Sequence, residues 1–464
     1  MPGSNDSLAA KDVRFQLHSY TDARAHEEKG PLIIERGEGV FVIDEHGRRY
    51  LEAMSGLWSV ALGFSEQRLV DAACRQLQAL PFYHTFGHKS HAPSIALAER
   101  LIELAPVPMS KVYFTNSGSE ANDVLIKLIW YRNNAIGQPK RKKIISRLGA
   151  YHGVTALSAS LTGLPSVHKG FDLPLPGFLH VGNPHFYRHG RPGENEEQFV
   201  ERLAAELQAL ILSEGPETIA AFVAEPLMGA GGVIVPPPSY WQRIEQVCRR
   251  HDVLIVADEV ICGFGRTGRR FGCETFGITP DAMILSKQLS SSYQPIAAVL
   301  INEQLYSAVA DQSHALGVLG TGFTGSGHPV ASAVALANIN IIEQDRLIEH
   351  AALMGQRLHA GLQRLASSPL VGQVRGCGLI AGVELVIDKP TKAPLGTLGQ
   401  LGKYFTERAQ HNGLIVRGIG DSIALCPPLI ISADEIDLLL ERFQRTLDET
   451  LDWARKQQGF ACTA

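Results

Sequence analysis

Short apolar runs, each closed by polar or charged residues, alternate with segments of helical period from Val112 to about Leu300. Lys143-Ile144-Ile145-Ser146, Thr218 to Ala224, Val253 to Ala257 and Ala282 to Ser286 have the length and branching of buried strands, and Tyr240 to Arg250 repeats at helical spacing between two of them. Strands alternating with helices in this way predict a mainly parallel sheet covered on both faces.

The flanking segments follow another pattern. A polar amino terminus, expected to be flexible at its tip, precedes Gly39 to Asp44 and Arg49 to Glu52, which read as a hairpin around Glu45-His46-Gly47-Arg48. Gln67 to Leu80 carries apolar residues at helical spacing. After Pro329 a long alanine-rich helical pattern runs to about Asp345, the expected return to a smaller domain. Val374 to Leu385 is a glycine-marked strand pair, Leu414 to Arg417 and Ile423 to Cys426 are further strands, and an amphipathic helix starts at Ser432. A chain of 464 residues exceeds one ordinary domain, so two are expected.

A net charge of −4 gives no global attraction for nucleic acid, and the basic cluster Lys140-Arg141-Lys142-Lys143 is expected to decorate a solvated loop. No nucleic-acid partner is expected. Seven scattered cysteines without C-x-x-C spacing support neither a disulfide framework nor a zinc ribbon. No run is apolar enough to span a bilayer and the amino terminus lacks a signal-peptide core, so a cytoplasmic protein without membrane contact is the expectation.

Candidate chemistry concentrates at two strand ends, Asp258 after Val253 to Ala257 and Lys287 after Ala282 to Ser286. Ligands of open α/β sheets sit beyond the carboxyl ends of the strands, where an acid and an amine can face one molecule. A lysine can form a Schiff base with a pyridine aldehyde while a carboxylate keeps the ring nitrogen protonated. Strand ends also carry such charges merely because they meet water, so the pair alone decides little. Upstream, Val112 to Thr115 runs into Asn116-Ser117-Gly118-Ser119 and a helix-like segment from Glu120, an arrangement of strand, small-residue turn and helix N-terminus that forms a phosphate cup. Acid, amine and cup together match pyridoxal 5′-phosphate.

Other motifs are set aside. Gly263-Phe264-Gly265-Arg266-Thr267-Gly268 satisfies the dinucleotide fingerprint G-x-G-x-x-G but does not join a strand directly to a helix. His84, His88 and His91 lack an acid or cysteine to complete a ligand set, and His180, His185 and His189 belong to a loop around Pro184 and Gly190, so no metal is expected.

The segments Thr115 to Asp123, Ala150 to Gly153, Ala224 to Pro237, Ala257 to Gly268, Ser286 to Ile296 and Gly322 to Val330 resemble the class III aminotransferases, in order and spacing, over about Gly37 to Ser432. Within that class the chain is most similar to the ω-amine:pyruvate transaminases. The resemblance implies an α/β protein of fold type I, with a large domain (61–328) built on a mainly parallel seven-stranded sheet. A smaller α+β domain is made from both termini (1–60 and 329–464). It assigns Lys287 and Asp258 as catalytic residues, and cofactor contacts to Ser117, Gly118, Ser119, Tyr151, His152, Val260 and Thr324. Thr324 is expected to reach the phosphate of the neighbouring subunit in a homodimer, or in a dimer of dimers built from it. Substrate contacts fall to Leu57, Trp58, Phe86 and Arg417, the last as a mobile clamp for carboxylates, a role that suits an arginine set just past a strand.

The implied reaction moves an amino group from an amine or ω-amino acid donor to a 2-oxo acid such as pyruvate in two half-reactions. A class III aminomutase or decarboxylase would use the same Lys287 and Asp258, and a non-catalytic binding protein of this fold is a further alternative. Two positions depart from the family pattern: Gln288 and Ser292 stand where glycines are common, which points to a loop after the lysine that is stiffer or shaped for another donor. The role of Glu225 and the identity of the donor are left open.

Overall fold

The computed structural model describes residues 7–457. Its centre is a seven-stranded sheet with the spatial order Lys111–Thr115, Ala297–Ile301, Ala282–Leu285, Leu254–Asp258, Ile219–Ala224, Lys143–Arg147 and Phe178–Val181. Only Ala297–Ile301 runs against its neighbours. The expected mainly parallel sheet is therefore present, and the expected helix is found at Tyr240–Arg250. Ile219–Ala224, Leu254–Asp258 and Ala282–Leu285 are buried at every residue, as strands covered on both faces must be. Because these strands are parallel, Asp258 and the residues after Leu285 emerge at the same edge of the sheet.

Two four-stranded sheets flank this one. In the first, Phe41–Asp44 and Arg49–Glu52 pair as the expected hairpin, with Ile34–Glu38 on one side and Leu414–Ile415 on the other. The amino-terminal hairpin is thus completed by a strand from the far end of the chain. The second has the order Val371–Cys377, Ile380–Leu385, Ser422–Leu425 and Arg417–Ile419. The single strand expected over Leu414 to Arg417 is in fact divided: Leu414–Ile415 belongs to one sheet, Arg417–Ile419 to the other, and Val416 lies between them. Arg417 therefore opens a strand instead of following one. The helix Pro329–Gln344 packs against Gln67–Ala79 and Ala92–Leu104, and Ala433–Arg455 begins with a capping box in which Ser432 and Glu435 satisfy each other's backbone N–H groups.

The glycine-rich stretch after Asp258 is a loop without a helix directly behind it, as its sequence implied. Its Arg266 is fully buried and donates to the carbonyls of Leu379 at 2.8 Å and Pro427 at 2.6 Å, tying the central sheet to the flanking one. The basic cluster is not a solvated decoration. Arg141 is buried and paired with Asp252 at 2.9 Å, Lys142 donates to the Trp130 carbonyl at 2.7 Å, and Lys143 opens a strand and meets Glu214 at 2.7 Å. Among the described residues no helix is long and apolar enough to cross a membrane. The six described cysteines are all free, and Cys462 lies outside the described residues.

Candidate active site

A cavity of about 670 Å³ opens at the carboxyl edge of the central sheet. Its floor is set by Asp258 and Lys287, brought side by side by the parallel pairing of Leu254–Asp258 with Ala282–Leu285. Asp258 is almost wholly buried. Its Oδ2 accepts from His152 Nδ1 at 2.8 Å and from Asn122 Nδ2 at 3.2 Å, and its Oδ1 accepts from the Val260 N–H at 3.2 Å. Asn122 also donates to the His152 carbonyl at 2.8 Å, so carboxylate and imidazole are held by one amide. Sequence reasoning missed Asn122, although a single asparagine between Ala121 and Val124 on the buried face of a helix was a readable signal.

Lys287 follows the last residues of its strand in a left-handed backbone conformation, φ 49°, a strained geometry for a residue with a Cβ and one that clusters at functional sites. Burial lowers its ammonium to about 8, while the charges of Asp258 and Glu225 act in the opposite sense. The amine is therefore far closer to its neutral, nucleophilic form than an exposed lysine. The next residue, Gln288, donates from Nε2 to the carbonyls of Ile261 at 2.9 Å and Gly263 at 3.1 Å, so the departure from glycine adds a tether between the lysine segment and the turn beyond Asp258.

The expected strand, small-residue turn and helix N-terminus are present. Ser117 caps the helix Gly118–Ala135, accepting from the Glu120 N–H at 3.2 Å, and Gly118 and Ser119 face the cavity. A Cβ on Gly118 would come within 3.3 Å of Val260 Cγ2, so the glycine keeps this helix end close to the Val260 side chain. Ser119 Oγ accepts from the Val154 N–H at 3.2 Å, which joins the cup to the turn after Tyr151 and His152.

Tyr151 and Val260 both line the cavity, as do Leu57 and Trp58. Trp58 is buried yet borders the open volume, at the end of a turn in which Ser55, Gly56 and Trp58 all have positive φ. That turn is held by Ser55 Oγ donating to the Cys426 carbonyl at 2.6 Å and by the Gly56 N–H donating to Glu52. Arg417 lines the same cavity and is close enough to Lys287 and Tyr151 to act on both electrostatically. Glu225, left without a role by the sequence, accepts from the Tyr151 N–H at 3.3 Å and the Gly229 N–H at 3.1 Å, fixing the ring-bearing turn to the end of Ile219–Ala224.

Two expected site residues lie elsewhere in the single chain. Phe86 is half exposed and packs over Gly322, beside a separate cavity lined by Thr85, Gly87 and Phe323. Thr324 is exposed nearby. Two residues not anticipated, Ser19 and Tyr20, join the Lys287 cavity, with the Tyr20 ring 6.5 Å from that of Tyr151. The polar segment that carries them has no hydrophobic period from which its position could be read.

One cavity thus offers an amine, a buried carboxylate at hydrogen-bond reach of an imidazole, an aromatic and an apolar wall, and the N-terminus of an eighteen-residue helix. This donor set fits pyridoxal phosphate: a cation-seeking acid for its ring nitrogen, an amine for its aldehyde and backbone N–H groups for its phosphate.

Known proteins agree. The aminotransferase class III family model matches residues 23–447. The crystal structure of an omega transaminase from Pseudomonas jessenii in complex with PMP is 64% identical, with 97% of this chain and 99% of that one covered and a TM-score of 0.96. A PMP-bound aminotransferase from Vibrio fluvialis is 41% identical, with 96% and 98% covered and a TM-score of 0.94. The mitochondrial gamma aminobutyrate transaminase 1 of Solanum lycopersicum is 48% identical over 451 residues, 96% of this chain and 88% of that protein. The chain belongs to the class III aminotransferases, and is a fold type I, pyridoxal-phosphate-dependent transaminase.

Proposed function

We propose that this transaminase moves amino groups from ω-amino acids and carboxylate-free amines to pyruvate. The observation that carries the reading is the cavity shared by Lys287 and Arg417. A guanidinium grips a carboxylate bidentately, and one set on the substrate side of the amine suits an acceptor that carries a carboxylate. Leu57 and Trp58, on the same cavity, give the remainder of a donor an apolar wall. The relatives named above, an omega transaminase and a gamma aminobutyrate transaminase, are in keeping with donors whose amine is remote from a carboxylate or has none.

In this reading Asp258 would partner the ring nitrogen, Ser117, Gly118 and Ser119 would hold the phosphate, and Tyr151 and Val260 would contact the ring. His152 positions Asp258. Pyridoxal phosphate supplies the electron sink for the charge left when a proton leaves the substrate carbon. Lys287 would accept that proton at Nζ and return it on the other side of the transfer. Arg417 turns away for uncharged amines and closes on pyruvate.

The chain is taken to act as a homodimer, in which Phe86 and Thr324, outside the Lys287 cavity of their own chain, serve the neighbouring site. Residues 61–328 form the cofactor-binding domain, 1–60 and 329–464 the smaller one, and the enzyme works in the cytoplasm. A screen of amines and ω-amino acids against pyruvate, scored by alanine formed, tests the reading. Alanine from several such donors is expected. Turnover confined to α-amino acids, or none with pyruvate, contradicts it.

A further inference from the structure

The stretch that delivers Ser19 and Tyr20 to the cavity consists of two short helices, Leu8–Phe15 and Ala23–Lys29, and the loop between them. Neither helix has a fully buried side chain, and helices of eight and seven residues do not persist by themselves. Apolar burial is therefore a weak reason for this segment to hold its shape. A polar cluster joins its parts instead. His18 Nε2, in the loop, lies 2.9 and 3.0 Å from the two carboxylate oxygens of Asp12, on the first helix. His26 Nε2, on the second helix, lies 2.9 Å from Asp12 Oδ1. The two imidazoles are 4.2 Å apart between centroids, so both turn the same ring nitrogen to one carboxylate. Their three ligand atoms lie within 4.8 Å of one another, and all three side chains are largely shielded, at 17% exposure for Asp12, 29% for His18 and 12% for His26. A cavity of about 230 Å³, lined by His18, His26 and Glu27 among others, opens beside them.

We propose that Asp12, His18 and His26 bind a zinc ion, or another divalent metal of similar softness, which staples the two helices and so sets Tyr20 beside Tyr151. Two imidazoles and one carboxylate suit zinc, cobalt or nickel, whereas magnesium and calcium require oxygen ligands throughout. Around a tetrahedral zinc, nitrogen and oxygen ligands stand roughly 3.3 Å apart, so the Asp12 contacts need to open by only a few tenths of an ångström. Each imidazole gives up its hydrogen bond to Asp12, carries its proton on Nδ1 and turns a lone pair on Nε2 to the metal. The adjoining cavity leaves a fourth position to water. This cluster is separate from the histidines at positions 84 to 91 and 180 to 189, among which His91 caps the helix Ala92–Leu104 and His185 meets Gln373 at 2.9 Å. The metal's influence on the reaction is indirect, through the placement of Tyr20.

The experiment uses untagged holoenzyme, stripped with a chelator and dialysed against zinc. Bound metal is counted by mass spectrometry, and affinity is measured by competition with a chromogenic chelator. One zinc per chain is expected in the wild type, with affinity at least about tenfold weaker in Asp12→Asn and in His26→Ala. Zinc should also slow tryptic cleavage at Arg14 and Arg24 in the wild type and leave it unchanged in both variants, whose circular dichroism and cofactor content report that the fold is intact. Zinc uptake equal in the wild type and in the double variant His18→Ala/His26→Ala overturns the proposal. So does cleavage that zinc leaves unaltered in the wild type.

Discussion

His152 Nδ1 lies 2.8 Å from Asp258 Oδ2, and both side chains are closed off from solvent. A carboxylate can only accept, so the imidazole donates from Nδ1, and Asn122 donates to the same oxygen. The carboxylate is thereby aimed before any ligand arrives, and its orientation costs nothing at the moment of reaction. An amide at this position could not balance a pyridinium charge. Asp258→Asn is expected to lose several orders of magnitude in turnover, each tenfold loss being about 1.4 kcal/mol of barrier. Steady-state kinetics of cofactor-saturated protein measure this, and activity within about threefold of wild type would mean that another group faces the ring nitrogen.

Lys287 gives a pH prediction. Its ammonium is lowered from 10.5 to about 8 by burial, so the neutral amine accumulates as pH rises through that value. Covalent capture of pyridoxal phosphate by cofactor-free protein, followed by absorbance, should accelerate with pH and level off above about 8. A rate still climbing near pH 10 would indicate an ordinary, solvated lysine. Lys287→Ala should fold, hold the cofactor without a covalent bond and show no turnover.

Glu52 offers a stability test independent of catalysis. Burial raises its carboxyl from 4.5 to about 8, although the Gly56 and Met54 N–H groups act against the shift. In the unfolded chain the proton leaves near 4.5, whereas the folded chain keeps it to about 8. The folded state therefore binds more protons between these values, and stability falls as pH rises through the window. Glu52→Gln removes the titration and leaves an acceptor for the Gly56 N–H. The melting temperature of the variant minus that of the wild type should grow from about pH 5 to 8 and then level off, and a difference that shrinks with pH would contradict the assignment.

The two family departures have opposite expected effects. Gln288→Gly deletes two buried side-chain hydrogen bonds, a loss of roughly 1–3 kcal/mol in unfolding free energy, and frees the lysine segment. Ser292 has φ 57°, a conformation that glycine adopts without a Cβ penalty, so Ser292→Gly should stabilise by up to about 1 kcal/mol. Denaturant unfolding of both variants checks the signs.

The middle of the central sheet was legible because Ile219–Ala224, Leu254–Asp258 and Ala282–Leu285 are buried at every residue and read as apolar runs, each ending at a polar group. Asp258 and Lys287 were legible because they stand where two of those runs stop, and the turn at Ser117 to Ser119 because small residues lie there between a strand and a helix. What escaped was set by long-range pairing. Leu414–Ile415 and Arg417–Ile419 are too short to carry a period, and only their partners, Arg49–Glu52 and Ser422–Leu425, assign them to different sheets. Tyr20 escaped because its segment is held by Asp12, His18 and His26, not by an apolar stripe. Phe86 and Thr324 were named from resemblance, and one chain by itself keeps them apart from Lys287.

Arg417 separates an enzyme for ω-amines from one devoted to α-amino acids, and its two half-reactions can be followed separately by cofactor absorbance in single turnovers. Arg417→Ala should weaken the half-reaction of the aminated enzyme with pyruvate by roughly 1.5–3 kcal/mol, the worth of a charge-assisted bidentate contact. The half-reaction with an uncharged aryl or alkyl amine should barely change. Equal losses in both, or no loss in either, would contradict the switching clamp on which the proposed acceptor rests.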